Sequence, residues 1–307
     1  MHWLLAVLVG HFLNAISYVL DKVLLTKSIQ NPFAFTFYIG ILGLLAVLLI
    51  PFGFEVPSAG MIGLNLAAGA LFIVALLFFF LALKGQETSR IVPFIGGGVP
   101  LFTWVFELLF LDTQLSGRQL IAFAVLVVGT VVIAIEVGDK KSKPTKVAQK
   151  ERIRDWSYAL AAAFFFAIAF GLTKIAFDNQ PFFSAFIWMR FGSFLFPLLF
   201  LLWPKNRKAI TDSFSMFKEK AGYLYLVAQG FGAAGFIFVN YAISLASVSL
   251  VNALQGVQYA FLLIIAIIGT VKFPKLLQET MNKKSLAIKI VGVFIIAGGL
   301  YLIAQSV

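Results

Sequence analysis

Apolar runs of about 20 residues recur along the chain, and each is long enough to cross a membrane as a helix. A transmembrane helix needs about 20 mostly apolar residues to span the ~30 Å hydrocarbon layer. A β-barrel is not expected, because barrel strands alternate apolar and polar residues over segments of about ten residues, whereas these runs are continuous. The sequence therefore predicts an all-α membrane protein with ten transmembrane helices. The predicted helices are Trp3–Leu25, Pro32–Ile50, Met61–Leu83, Pro93–Leu111, Gln119–Val137, Trp156–Phe177, Phe182–Trp203, Gly222–Ser244, Val248–Val271 and Ser285–Ser306.

Composition excludes several classes of function. Charged residues make up 12% of the chain, about half the share of a soluble domain. The chain has no cysteine and only two histidines, which argues against disulfides, iron–sulfur clusters, thiol nucleophiles and the usual zinc sites. No Gly-x-x-x-x-Gly-Lys-Ser/Thr motif is present to bind ATP. We therefore expect no enzyme activity, no metal and no cofactor.

The chain divides into two halves of five predicted helices each. Residues 1–137 form the first half, residues 138–155 form a linker with seven basic side chains, and residues 156–307 form the second half. Ala15–Lys22 (AISYVLDK) and Ala167–Lys174 (AIAFGLTK) are identical at four of eight positions, and a Pro-Phe pair follows each. The closing helices match loosely, with LVVG ending at Gly129 and IIAG ending at Gly298. Because five is odd, a duplication would give inverted repeats, as in many secondary transporters.

The distribution of basic residues predicts how the chain is oriented. Loops that follow odd-numbered predicted helices carry nearly all of the loop lysines and arginines, whereas the opposite side has Arg118 alone. Positive residues mark cytoplasmic loops. We therefore expect a bacterial inner (plasma) membrane protein with a cytoplasmic linker and both termini outside. The net charge of +11 is then explained by anionic lipid, and no nucleic-acid partner is expected.

Part of the first half resembles a known transporter family. Pro100–Glu107 reads PLFTWVFE and is followed by LLFLDTQLSGRQLIAFAVLVVGTVVIA, ending at Ala134. This stretch resembles the fourth and fifth helices of an EamA domain of the drug/metabolite transporter superfamily, with a proline opening one helix, an acidic residue near its end and a glycine-containing helix next. Val248–Ala304 is a weaker second copy, in which Ala260 and Ile267 replace Pro100 and Glu107.

The resemblance implies a fold and a function. The fold is a ten-helix transporter of two EamA-like repeats, and the function is export of a metabolite or an amino acid. The same fold also hosts carriers of sugar phosphates and nucleotide sugars. Members of the family usually have both termini in the cytoplasm, which is the reverse of the orientation that the charges predict here.

Polar side chains within the apolar runs are the candidate substrate-binding residues. In the first predicted helix, Asn14, Tyr18 and Asp21 share one face with His11 and Ser17. A polar stripe faces the protein interior or a water-filled path, although the alternative is hydrogen bonding between helices. Further candidates with the same two interpretations are Asn240, Asn252, Gln255 and Tyr259.

Three charged or helix-bending features complete the candidates. Arg190 lies deep in the seventh predicted helix, where it would bind an anion or pair with Asp21 or Glu107. Glu107 would exchange a proton or, more simply, cap a neighbouring helix. Gly96-Gly97-Gly98 and Pro100 are expected to interrupt the fourth helix, with Gly97 and Pro100 as gating positions.

These features together predict a secondary transporter that moves a small organic metabolite by alternating access. Its partners would be that solute and membrane lipid, and the chain would act as a monomer or a homodimer. The alternatives are an anionic sugar-phosphate or nucleotide-sugar carrier, a lipid-linked-sugar flippase, and a membrane scaffold that transports nothing.

Overall fold

The computed structural model describes residues 2–27, 31–85, 88–111, 114–134, 146–218, 220–272 and 283–306, and every regular element in these residues is helical. Three segments form 3₁₀ helices, namely Leu44–Phe52, Leu199–Leu202 and Phe214–Lys218. The α-helices are α1 His2–Lys27, α2 Pro32–Gly43, α3 Ala59–Gly85, α4 Thr88–Phe110, α5 Gly117–Ala134, α6 Lys146–Asn179, α7 Phe182–Leu198, α8 Pro204–Ser213, α9 Lys220–Leu245, α10 Val248–Ala253, α11 Gln255–Lys272 and α12 Lys283–Ala304.

The helical lengths and apolar surface are those of a membrane protein. Eight helical stretches in the described residues are long and apolar enough to cross a bilayer, and Phe94–Phe110 and Gly117–Ile133 are shorter apolar helices. Large apolar side chains lie on the outside of the bundle, among them Phe294 (73% exposed) and Leu48 (70% exposed). Lipid is the solvent that suits such a surface. The protein is therefore an all-α membrane protein.

The prediction of an interrupted fourth helix is wrong. α4 runs without a break through Gly97 and Pro100, both of which are buried. A helix satisfies its own backbone groups, which an apolar environment strongly favours, and Pro100 removes only one donor from the ladder. The glycines instead allow close packing, since a methyl group at Gly98 would lie 3.1 Å from the Ala163 side chain.

The predicted ninth helix is divided into two. A single turn residue, Leu254, separates α10 from α11. Ser247 caps the start of α10 by accepting a hydrogen bond from the Leu250 N–H at 3.3 Å. A two-residue turn, Ala246 and Ser247, links α9 to α10.

Two further differences from the sequence prediction concern polar segments. Residues 146–155 of the predicted linker form the first turns of α6, and residues 138–145 lie outside the described residues. The loop after the seventh predicted helix contains α8, which begins with Pro204 at its first turn. Ile210 of α8 is buried, and its carbonyl accepts a 2.6 Å hydrogen bond from the Tyr38 hydroxyl.

Glycine allows the main helix pairs to approach closely. α1 packs along α9, and a methyl group at Gly10 would lie 2.9 Å from the Gly235 carbonyl oxygen. α3 packs along α7, where a methyl group at Gly69 would collide with the Met189 carbonyl oxygen. Small residues at interfaces permit such contacts between helices in membranes. The other extensive contacts join α3 to α6, α4 to α6, and α5 to α12.

Candidate functional site

The α1–α9 interface contains the first group of polar side chains. The glycines of α9 set its register, since Ser17 of α1 lies over Gly232 and Asn14 lies over Gly235. One turn further along α1, the Asp21 carboxylate accepts a 3.0 Å hydrogen bond from the Gln229 amide and a 3.4 Å hydrogen bond from the Ser17 hydroxyl. The interface thus holds a carboxylate whose two hydrogen-bond partners in the described residues are both neutral.

A second polar pair joins α1 to α11. His11 Nδ1 lies 3.1 Å from Gln258 Oε1, and the two side chains are 4% and 2% exposed. Because an amide oxygen only accepts, this contact is a hydrogen bond in the tautomer that carries its proton on Nδ1. Among the described residues, neither His11 Nε2 nor the Gln258 amide nitrogen has a partner in hydrogen-bond geometry. An acceptor and a donor thus lie buried and unpaired in the same contact, although such groups are normally satisfied.

Aromatic side chains lie between these polar groups and the other helices. The Tyr18 ring stacks on Phe79 with a centroid separation of 6.1 Å. The Tyr259 hydroxyl donates a 3.0 Å hydrogen bond to the Val92 carbonyl, and Gly96 leaves the room that this ring occupies. Tyr225 is fully buried beside Asp21, and its hydroxyl has no hydrogen-bond partner among the residues that the structure describes.

Arg190 lies in a separate aromatic environment formed by α3, α7 and α9. Its guanidinium carbon is 4.4 Å from the ring centroid of Phe236, 5.0 Å from that of Phe72 and 5.5 Å from that of Phe186. The Nε atom is buried, and no described residue hydrogen-bonds to it. Of the two predicted roles, pairing with Asp21 or Glu107 is not found in the described residues, where those carboxylates accept hydrogen bonds from other groups.

Glu107 caps α10. Its carboxylate accepts hydrogen bonds from the Val248 N–H at 2.8 Å, from the Ser249 N–H at 3.2 Å and from the Ser247 hydroxyl at 3.1 Å. A carboxylate at the start of a helix satisfies N–H groups that have no partner within the helix. This geometry is that of a helix cap, which was one of the two roles predicted for Glu107. Both carboxylate oxygens take part in the cap.

The remaining candidates make contacts outside the α1–α9 polar group. The Asn252 amide donates a 3.4 Å hydrogen bond to the Thr103 hydroxyl, which joins α10 to α4. The Asn240 amide donates to the Phe236 carbonyl of its own helix at 2.8 Å. Gln255 is half-buried at the first position of α11.

Several residues of the site are absent from the predicted set. Gln229 and Gln258 complete the contacts of Asp21 and His11, and three phenylalanines surround Arg190. Gln229 lies eleven residues before Asn240 in the same predicted helix, and this spacing was a weak signal of a shared polar face. Nothing in the sequence distinguishes Phe72, Phe186 or Phe236 among 35 phenylalanines. In the part of the chain that the structure describes, no group of three acidic or histidine side chains could hold a metal ion.

Comparison with known proteins supports the architecture. The chain is similar to a protein of known crystal structure, whose description names no function, with a TM-score of 0.61 and 18% sequence identity over 98% of this chain and 96% of that one. A likeness at this identity concerns the fold alone. No family model and no curated protein sequence matches the chain. What the comparison supports is therefore a helical fold that recurs, at full length, in a solved protein.

Proposed function

We propose that the protein is a secondary transporter of the drug/metabolite type, with EamA-like halves, that moves a small polar organic solute by alternating access. The observation that carries this proposal is the set of polar groups inside the bundle, where Asp21, Gln229, His11 and Gln258 connect α1 to α9 and α11. Ionisable groups inside a membrane protein are costly and typically line the path of a solute.

The unpaired polar atoms favour a transporter over a scaffold. A structural network would satisfy its own donors and acceptors, because an unpaired buried group costs about 1–3 kcal/mol. Here His11 Nε2 and the Gln258 amide nitrogen lack hydrogen-bond partners in the part of the chain that the structure describes. A solute with a hydroxyl or amino group would pair with both atoms. Such a group can donate a hydrogen bond to the imidazole nitrogen and accept one from the amide N–H.

The contact between α5 and α12 supports the proposed inverted repeat. A methyl group at Gly129 would lie 3.1 Å from the Ile296 nitrogen, and one at Gly292 would lie 2.9 Å from the Ile133 nitrogen. The two contacts are therefore reciprocal about a local two-fold axis. Aligning Gly129 with Gly292 makes Ala124–Ala134 and Ala287–Ala297 identical at five of eleven positions, which is a longer match than the one through Gly298.

Helix pairing follows the same two-fold relation. If α1 corresponds to α6 and α3 to α9, the extensive α1–α9 contact corresponds to the extensive α3–α6 contact. The α2–α7, α4–α10 and α5–α12 contacts then each join a helix of one half to its own counterpart in the other half. Inverted repeats place solute sites at the interface of the two halves, which is where α1 and α9 meet.

The proposal includes an orientation and a location. The basic linker would face the cytoplasm of a bacterial cell with both termini outside, in the inner membrane, as the loop charges predict. A carrier of anionic sugar phosphates or nucleotide sugars is the second candidate, and Arg190 is the observation that favours it.

Ligand-induced stabilisation of the purified protein tests the proposal. A solute that binds only the folded state raises the apparent melting temperature, and the panel would contain amino acids, sugar phosphates, nucleotide sugars and lipophilic cations. We expect at least one polar solute to raise the melting temperature, and Asp21→Asn to abolish that rise. Asp212→Asn, the same change at an exposed position, should leave it intact. If no solute stabilises the protein, the scaffold interpretation replaces the transporter.

A further inference from the structure

Arg190 is a charged side chain without a counter-ion in the described residues. It lies in the middle of α7, as the ninth of its 17 residues. In the part of the chain that the structure describes, its guanidinium makes no ion pair and no hydrogen bond. It makes cation–π contacts with three phenylalanine rings. Its Nε atom, the guanidinium nitrogen nearest to the backbone, is buried and has no hydrogen-bond partner in the described residues.

Aromatic rings stabilise a guanidinium without using its N–H donors. The attraction acts through the face of each ring and the plane of the cation, whereas the five N–H groups point outward in that plane. The rings of Phe72, Phe186 and Phe236 therefore hold the side chain in one orientation and leave its donors free. An arginine with a purely structural role would donate to carbonyls or carboxylates instead, because an unpaired buried charge is strongly unfavourable.

The aromatic environment also defines what lies on either side of a bound group. An anion that meets the N–H edge of Arg190 would have phenylalanine rings as its neighbours. Carboxylates fit that edge by accepting two parallel hydrogen bonds from a guanidinium. A single arginine balances one negative charge, so the site suits a monoanion better than a phosphate dianion.

We propose that Arg190 binds the carboxylate of a small organic monoanion whose apolar portion packs against Phe72, Phe186 and Phe236. This proposal rests on the proposed transport function and names the class of its substrate. Phe236 is seven residues after Gln229 on α9, which places the two about 10 Å apart on nearly the same face. Arg190 would therefore bind the carboxylate at one end of the solute, and the Asp21–Gln229 group would bind its other end.

A matched set of three small ligands tests the charge that the site requires. Phenylacetate carries one negative charge, phenylacetamide carries none, and phenyl phosphate carries close to two at pH 8. We expect phenylacetate to raise the melting temperature of the purified protein, phenylacetamide to have no effect, and phenyl phosphate to have a smaller effect than phenylacetate. A response to phenylacetamide equal to that of phenylacetate would overturn the proposal, as would no response to phenylacetate.

Variants of Arg190 separate binding from folding. Arg190→Met replaces the charge by an apolar side chain of similar length among the rings, and such a replacement of a buried charge is often neutral or stabilising. We expect this variant to fold with an unchanged or higher melting temperature and to bind phenylacetate at least about tenfold more weakly. Arg190→Lys keeps the charge but loses the two-point contact, so its affinity should lie between those of Arg190→Met and the native protein.

The two proposals can fail separately. If phenylacetate has no effect while a neutral or cationic solute stabilises the protein in a manner that depends on Asp21, the transporter proposal stands and the Arg190 proposal is wrong. If Arg190→Met binds phenylacetate as tightly as the native protein does, the anion binds elsewhere and the Arg190 proposal is also wrong.

Discussion

Gly69→Ala is expected to cause a large loss of stability at the α3–α7 interface. A methyl group at Gly69 would collide with the Met189 carbonyl oxygen and lie 2.7 Å from the Ser193 nitrogen. Both atoms belong to the backbone of α7, so no side-chain rotation relieves the collision, and the helices must separate. Overpacking of this kind typically costs about 1–3 kcal/mol, and separating two backbones also weakens the 3.1 Å hydrogen bond from the Ser193 hydroxyl to the Gly69 carbonyl.

Gly63 provides a matched control on the same helix. It is exposed, and a methyl group there would meet nothing within 4 Å. Because Gly→Ala increases helix propensity by the same amount at both positions, about 1 kcal/mol in water, the difference between the variants isolates the collision. Thermal unfolding in detergent should show a lower melting temperature for Gly69→Ala and an unchanged or higher one for Gly63→Ala. Equal melting temperatures would mean that α3 and α7 are not packed in this register.

Glu107→Ala is expected to have the second large effect. Removal of the carboxylate leaves the Val248 and Ser249 N–H groups buried without acceptors, and both residues are fully buried. Each unpaired group costs about 1–3 kcal/mol, so the expected loss is about 2–6 kcal/mol in total. Glu107→Gln retains an oxygen that can accept one of these hydrogen bonds, and its loss of stability should be smaller.

The comparison with an exposed glutamate gives the control for Glu107. Glu55→Gln makes the same chemical change at an exposed side chain, whose residue contacts α7 only through its backbone carbonyl, and we expect no change in melting temperature. A proton-coupling role for Glu107 predicts a different result for Glu107→Gln. In that case Glu107→Gln would keep the stability of the native protein while solute-driven transport would lose its dependence on a proton gradient.

Hydropathy alone was enough to predict the helical membrane class, because crossing lipid requires long apolar helices. The first helix was also informative: the contact of Ser17 with Asp21 follows from their four-residue spacing. The partners of these residues could not be predicted, since Gln229 meets α1 through the register that Gly10, Gly232 and Gly235 set, and Gln258 meets α1 through the packing of α11 against it.

Helix continuity was the least predictable property. The Gly-Gly-Gly-Pro run of α4 has the composition of a break, yet neighbouring helices cover it and the backbone stays helical. The short α10 has an ordinary apolar sequence, and its start is stabilised by Glu107, a residue 140 positions away from Ser247. A cap supplied by another helix leaves no local signal in the sequence of the helix that it stabilises.

Cysteine labelling at two ends of the bundle tests alternating access most directly. The chain has no cysteine, so Gln229→Cys and Asn252→Cys each introduce a single thiol. Gln229 lies toward the Lys220 end of α9, whereas Asn252 lies in α10 next to the opposite end of α9. Labelling rates would be measured with and without the solute that most raises the melting temperature. The account predicts that this solute lowers the rate at one thiol and raises it at the other; equal changes at both, or no change at either, would contradict it.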